Sequence, residues 1–175
     1  MTTGHIFIAT SLDGFIARTD HQLDWLIKQP SEAEDHGYEA FISNMDGLIM
    51  GRGSFETLLS FNEWPYKKPT IVMSKSLTPD QIPKKLRGKV TLTRQKPEEL
   101  MEDLAWSKAY IDGGKVIQSF INAGLIEDMI ITTVPILIGD GISLFGSIER
   151  DIDLKLISSN AFKSGMVQNH YQLLT

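Results

Sequence analysis

The stretch that most constrains this chain runs from Ala109 to Pro135. Ala109-Tyr110-Ile111 is a short apolar run with β character, and it ends on Asp112 and two glycines, Gly113 and Gly114. After Lys115, the residues Val116, Ile117, Phe120 and Ile121 recur on one stripe at helical spacing, and Ala123-Gly124 closes the pattern. Met129 to Val134 is a second buried-looking β run. Strand, Gly-Gly, helix, strand is a crossover unit, and it predicts two parallel, neighbouring strands. Glycines at a strand-to-helix turn let the backbone approach a ligand closely. The helix start offers free N–H groups and partial positive charge, so a nucleotide's phosphates are expected at this turn.

Bulk properties narrow the class. At 175 residues the chain suits one domain spanning 1–175 and can bury a substantial core. A net charge of −5 argues against a general nucleic-acid binder, while leaving room for a local basic pocket that takes one phosphate. The lack of cysteine excludes disulfides and thiolate metal sites. His5, His21, His36 and His170 show no paired spacing, so no metal site is expected. No basic stretch followed by an apolar core opens the chain, and no apolar run approaches the ~18 residues of a membrane span. A soluble, cytoplasmic protein without a membrane partner is the expectation.

In chain order, His5–Ala9 reads as a buried first strand, followed by the turn signal Asp13-Gly14 and an apolar Phe15-Ile16-Ala17. Residues 18–30 read as a long surface loop anchored by Trp25 and Leu26. Ser31 with Glu34 forms a capping-box pattern for a helix to about Asn44, with Tyr38, Phe41, Ile42 and Met45 inward. Asp46–Met50 is a strand ending at Gly51-Arg52-Gly53-Ser54, and a short helix follows over Phe55–Leu59. Further strands are predicted at Thr70–Met73 and Val90–Thr93, then a Pro97-led helix to about Trp106. Gly139-Asp140-Gly141 reads as a hairpin turn. Asp153–Ser158 and Met166–Leu174 are expected to close the sheet as an antiparallel edge hairpin. The sum is an α/β chain with a mostly parallel central sheet.

Taken together, the strand ends resemble the dihydrofolate reductase-like fold, a three-layer α/β arrangement. Within it they resemble proteins related to the C-terminal reductase domain of the bifunctional riboflavin-biosynthesis deaminase-reductase. The resemblance rests on Ser11–Ala17, Leu48–Glu56, Ile71–Ser74, Ile111–Val116 and Pro135–Phe145, which span nearly the whole chain in the family's order. It implies NADPH as cofactor and a homodimer paired through the sheet edge and last strands. It implies that Ala9, Ile16 and Ala17 face the nicotinamide, and that Gly51, Arg52, Gly53 and Ser54 hold phosphate and ribose. Ser74, Lys75 and Arg94 fall where the family reads the adenosine 2′-phosphate; Asp112, Gly113, Gly114, Lys115 and Val116 match the pyrophosphate turn. Read from the residues alone, Arg52, Lys75, Arg94 and Lys115 each follow a predicted strand, on the edge where open α/β sheets bind ligands.

The implied activity is NADPH-dependent reduction of a small nitrogen heterocycle, of the phosphoribosylamino-uracil reductase type in riboflavin biosynthesis. Leu48–Glu56 looks more like dihydrofolate reductase itself and Pro135–Gly141 like the riboflavin side, so a dihydrofolate or pteridine reductase stays open. So does a nucleotide-binding protein without turnover. Hydride chemistry belongs to the cofactor; the protein must position it and deliver a proton. Asp35, sixteen residues before Gly51 by direct count, is the first proton-donor candidate, though a first-turn helix charge accounts for it equally. Asp13 is the second candidate, against a plain turn role. Trp25 and Tyr38 complete the expected substrate pocket.

Overall fold

The protein is described from a computed structural model that covers residues 1–29 and 34–174. In chain order the strands are β1 (Thr3–Ser11), β2 (Phe15–Ala17), β3 (Gly47–Gly51), β4 (Thr70–Met73), β5 (Val90–Thr93), β6 (Lys108–Asp112), β7 (Ile126–Val134), β8 (Ile142–Ser143), β9 (Leu154–Ala161) and β10 (Val167–Leu173). The helices are α1 (Asp24–Ile27), α2 (Tyr38–Ser43), α3 (Arg52–Leu59), α4 (Pro97–Asp103) and α5 (Gly114–Asn122). Eight strands form one sheet in the order β5-β4-β3-β6-β1-β7-β10-β9, while β2 and β8 pair separately. Neighbours from β5 to β7 run parallel, and β10 and β9 join antiparallel as the expected C-terminal edge hairpin.

Period-two alternation distributes the strands' side chains between two helical layers. Ile49, Ile111 and Ile6 turn to one face and meet Val116, Ile117, Phe120 and Ile121 of α5 and Leu100 and Met101 of α4. Leu48, Met50, Val72 and Tyr110 turn to the other, against Phe55 of α3 and Tyr38, Phe41 and Ile42 of α2. A third cluster of Trp25, Val134 and Met166 sits under the ends of β1 and β7.

Several expectations are corrected. β6 and β7 are not neighbours, because β1 lies between them and pairs in parallel with both. The second helix starts at Tyr38, not Ser31, since Gly37 breaks the backbone at φ 80° just before it. Ser31 itself lies outside the described residues. Glu34 forms no helical cap; its carboxylate accepts from the Ser164 N–H at 2.9 Å and hydroxyl at 2.6 Å. The Pro97-led helix ends at Asp103, and Trp106 instead lies across Gly47, where any side chain on β3 would clash with the indole. The loop after β2 contains α1, and the short helix expected at Phe55 already begins at Arg52. Gly139-Asp140-Gly141 is no hairpin turn: it leads into β8, which pairs with β2.

One polar network braces the sheet away from the strand ends just described. The Asp128 carboxylate on β7 lies 2.8 Å from His5 Nδ1 on β1 and 3.0 Å from His170 Nε2 on β10. Sequence spacing could not pair these histidines, because strand order brings them together. Burial pushes the Asp128 carboxyl up, but hydrogen bonds from His5 and His170 outweigh it and hold it below the ordinary aspartate value. A depressed folded value means stability that is present above the unfolded value of about 3.9 and lost as the pH falls through the folded one. Asp128→Asn is therefore expected to lower the urea-unfolding free energy near pH 7 by about 1–3 kcal/mol. The gap to wild type should close on acidification below about pH 4; a gap that stays constant would detach this carboxylate from acid stability.

Candidate functional site

Two crossovers leave the middle of the sheet in opposite directions. From β3 the chain passes through α3 to β4, and from β6 through α5 to β7, so the two helices lie on opposite faces. β3 and β6 are adjacent, with Met50 opposite Asp112. This is a topological switch point, where an open α/β sheet leaves a crevice beyond its carboxyl ends. A second opening adjoins it. β1 and β6 pair only from Thr3–Lys108 to His5–Tyr110, and beyond that the Phe7 carbonyl takes its hydrogen bond from the Tyr110 hydroxyl at 2.9 Å. The β1 side of Asp112 is thus free of strand pairing.

The helix starts at the crevice carry an unusual charge pattern. α3 begins with Arg52 after Gly51, and α5 has Lys115 after Gly114; neither has a side-chain cap or an acidic residue in its first turn. A cation there opposes the helix dipole, which favours anions at the N-terminus. By contrast α4, which also starts at this rim, supplies its own Glu98 and Glu99, and Glu99 accepts the Lys96 N–H at 3.4 Å. The two uncapped turns nearly touch: Gly113 holds φ 89°, and a Cβ on it would lie 2.7 Å from Ser54 Oγ. Free N–H groups, two cations and backbone open to close approach suit a phosphorylated ligand.

Further cations extend the rim along β4 and β5. Arg52 donates to Glu56 at 2.6 Å and to Ser76 Oγ at 2.9 Å, and Ser74 Oγ accepts the Leu77 N–H at 3.1 Å. Ser74 N–H bonds the Thr93 carbonyl at 3.0 Å, which sets Arg94 and Lys75 beside the same corner, both exposed. The resemblance grouped these residues, and the fold brings them together. Val116 differs: its side chain is buried at 8% exposure and packs under Gly51.

On the α2 and α3 side of the crevice stands a cluster that the sequence reading did not assemble. Asp112 ends β6, with Tyr110 on the same face and Tyr38 and Tyr66 close by. Burial pushes the Asp112 carboxyl above the ordinary aspartate value, against Ser54 and the Gly113 N–H, which pull it down. Burial raises all three tyrosines as well, and the nearby Asp112 adds to the effect. The arrangement raises the pKa of a carboxyl beside an open cleft, the direction that acid catalysis requires. Its sequence signal was present: an acid at the last position of a buried strand, two residues after a tyrosine.

The other candidates fall elsewhere. Asp35 does not share a helix with Tyr38; it lies exposed ahead of α2, and its carboxylate accepts the Gly37 N–H at 2.7 Å. Asp13 braces the rim, accepting from Gly139 N–H at 2.8 Å and Ile138 N–H at 3.2 Å. Hydrogen bonds from Ser11 first, then from Gly139 and Ile138, hold its carboxyl below the ordinary value. Trp25 is fully buried behind Ala9, supporting the wall from inside. Ile16 of β2 comes within 3.3 Å of where a Gly114 side chain would start, so the β2–β8 ribbon, including Ala17, roofs the second turn.

The profile of the RibD C-terminal domain family matches residues 3–168. The chain belongs to this family. A solved structure from Shewanella sp. PV-4, provisionally assigned to riboflavin biosynthesis, is 38% identical and superposes with a TM-score of 0.92 over 99% of this chain and all of that one. The uncharacterized protein YwjB of Bacillus subtilis is 30% identical over 171 residues, 95% of each chain. Dihydrofolate reductase from Enterococcus faecalis, solved with NADP(H), shares the fold at 15% identity and a TM-score of 0.69, covering 99% of this chain and 97% of that one. The RibD-type domain is thus a three-layer, dihydrofolate reductase-like α/β fold.

Two glycines of this RibD-type domain isolate what close approach contributes. Gly113 and Gly124 both have positive φ, at 89° and 68°, but a side chain at Gly124 meets nothing within 4 Å. Gly124→Ala should lose about 1 kcal/mol of stability in urea unfolding from backbone strain alone. Gly113→Ala should lose distinctly more, because Ser54 must also move; equal losses would mean the two turns are not in contact.

Proposed function

We propose that this chain is an NADPH-dependent reductase of the kind found in riboflavin biosynthesis, acting on a phosphoribosylamino-uracil or a closely similar nitrogen heterocycle. The observation that carries the reading is the pair of nearly touching, uncapped helix starts with Arg52 and Lys115, set beside the Asp112 carboxyl at the end of β6. The residues fit the cofactor. Gly113, Gly114, Lys115 and Ser54 would bind the pyrophosphate through backbone and hydroxyl donors. Arg52, Ser74, Lys75 and Arg94 would bind the adenosine 2′-phosphate. The split between β1 and β6 beside Ala9 offers a flat slot for the nicotinamide.

When bound, NADPH supplies a hydride to an electron-poor carbonyl or imine carbon of the substrate. The chain's own residues do the rest. Asp112, whose pKa burial raises, would donate a proton to the substrate oxygen or nitrogen as negative charge develops there. Ser54 and the Gly113 N–H would then stabilise the carboxylate that remains. Tyr38 and Tyr66 present hydroxyls to the polar edge of a heterocycle, and the β2–β8 ribbon keeps water from the slot. Asp112 replaces Asp35 as the proposed donor because it alone combines desolvation with the cleft.

Reduced-nicotinamide absorbance tests the reading. Cofactor oxidation is expected with a phosphoribosylamino-uracil substrate; oxidation only with dihydrofolate would move the assignment to a pteridine reductase, and tight NADPH binding without oxidation would leave a binding module. Arg94→Ala and Lys75→Ala should each weaken NADPH about ten-fold or more while sparing NADH. Asp112→Asn should lower kcat about 100-fold or more with NADPH affinity kept. Because the Asp112 value is raised, the acid form is present at low pH, and kcat should fall as pH rises through that value. A pH profile identical in Asp112→Asn would remove it from the proton step.

We also propose a homodimer. β9 forms the sheet edge with every residue exposed, among them Leu154, Leu156 and Ile157, a long apolar edge of the kind that proteins normally cover. Light scattering should give twice the chain mass, and Ile157→Lys should return the monomer mass.

A further inference from the structure

At the amino end of β1, away from the crevice, a hydroxyl, an imidazole and a carboxylate stand in line. Thr3 and His5 are two residues apart on the strand, so both project from the same face of the sheet. Thr3 Oγ1 lies 2.9 Å from His5 Nε2, and His5 Nδ1 lies 2.8 Å from Asp128 Oδ1 on β7.

The carboxylate decides which ring nitrogen carries the proton. Asp128 is held below the ordinary aspartate value and is ionised at neutral pH, so its oxygens only accept. A neutral His5 therefore donates from Nδ1, which leaves the Nε2 lone pair for the Thr3 O–H. The hydroxyl's other acceptor, the Ser107 carbonyl, is farther away at 3.4 Å. His5 is buried, which shields the alignment from water, while Thr3 is only partly buried.

The neighbouring charges suit proton transfer along this line. His170 Nε2 holds the second Asp128 oxygen at 3.0 Å and so fixes the carboxylate. Glu127 Oε2 stands 4.0 Å from His5 Nε2, beside the imidazolium that the transfer creates. Lys108 is exposed and pairs in register with Thr3 on β6, which brings an ammonium to the same edge. Bracing the sheet accounts for the two histidine–aspartate bonds, but it does not require a hydroxyl on the free ring nitrogen. Hydroxyl, imidazole and carboxylate in this order activate the hydroxyl as a nucleophile.

We infer that Thr3 is an acylation site that takes its acyl group from an acyl phosphate, activated by His5 with Asp128 as the positioning residue. Thr3 Oγ1 attacks the acyl carbon while His5 Nε2 takes the hydroxyl proton. An ester bond to Oγ1 forms, the acyl carbon–phosphate oxygen bond breaks, and His5 returns the proton to the departing phosphate. The phosphate leaves as a stable anion, and Lys108 is the cation at hand for its charge.

Incubating the full chain with acetyl phosphate, and locating the acetyl groups by peptide mass spectrometry, tests the inference. Thr3 should be labelled about ten-fold faster or more in the folded chain than in the chain unfolded in urea, where the alignment is lost. His5→Gln and Asp128→Asn, each checked for folding by circular dichroism, should slow labelling of Thr3 about 100-fold or more. Thr3→Ser keeps the hydroxyl and should still be labelled at position 3. Labelling of Thr3 that is no faster in the folded than in the unfolded chain overturns the inference without recourse to any variant. Acetyl groups on lysines alone, or undiminished labelling of Thr3 in folded His5→Gln protein, overturn it as well.

Discussion

The handedness of parallel crossovers sets the rest of this structure. A strand-helix-strand unit returns to the sheet right-handed, so units leaving in opposite directions place their helices on opposite faces. β3 leads outward through α3 to β4, and β6 leads the other way through α5 to β7. Both helix starts face the β3–β6 boundary. The insertion of β1 between β6 and β7 completes the arrangement, since it places a strand that diverges after His5 next to Asp112. The crevice is therefore a product of strand order, and the side chains only specialise it.

This explains which parts could be read from the chain. The strands Thr70–Met73 and Val90–Thr93 match the structure end to end, because short β-branched runs bounded by turn residues leave little choice. The four rim cations were legible too, each following a strand. Strand order was not. Nothing local in Ala109–Pro135 says that the first strand of the chain will lie between its two β runs. The His5–Asp128–His170 network follows only from that order.

The second helix failed for a different reason. Ser31 and Glu34 offered a persuasive start, but a glycine held at φ 80° ends any continuous helix through position 37. That one break takes Asp35 off the helix, where its carboxylate serves as a local turn acceptor. The count from Gly51 runs along the sequence, and the fold sets Asp35 in the exposed stretch ahead of α2. Asp112 was noted only as part of a phosphate turn, because its desolvation comes from Tyr38, Tyr66 and Tyr110, which lie on two other segments and one strand neighbour.

The two halves of the crevice are not independent. Ser54 belongs to the first turn of α3, hydrogen-bonds Asp112, and faces Gly113 of the other turn. An anion seated on these helix starts would place like charge close to the Asp112 carboxyl, and like charge disfavours the ionised form. It would also recruit donors that otherwise stabilise the carboxylate. Both effects act in the direction already set by burial, toward a higher Asp112 pKa. In the reductase reading, occupancy of the phosphate turn keeps the acid loaded until charge develops on the substrate. The cations answer the opposite need: Arg52 and Lys115 oppose their own helix dipoles while the turn is empty, and an anion between them relieves that opposition. In that reading a single phosphate group would satisfy both helix starts and favour the acid form of Asp112.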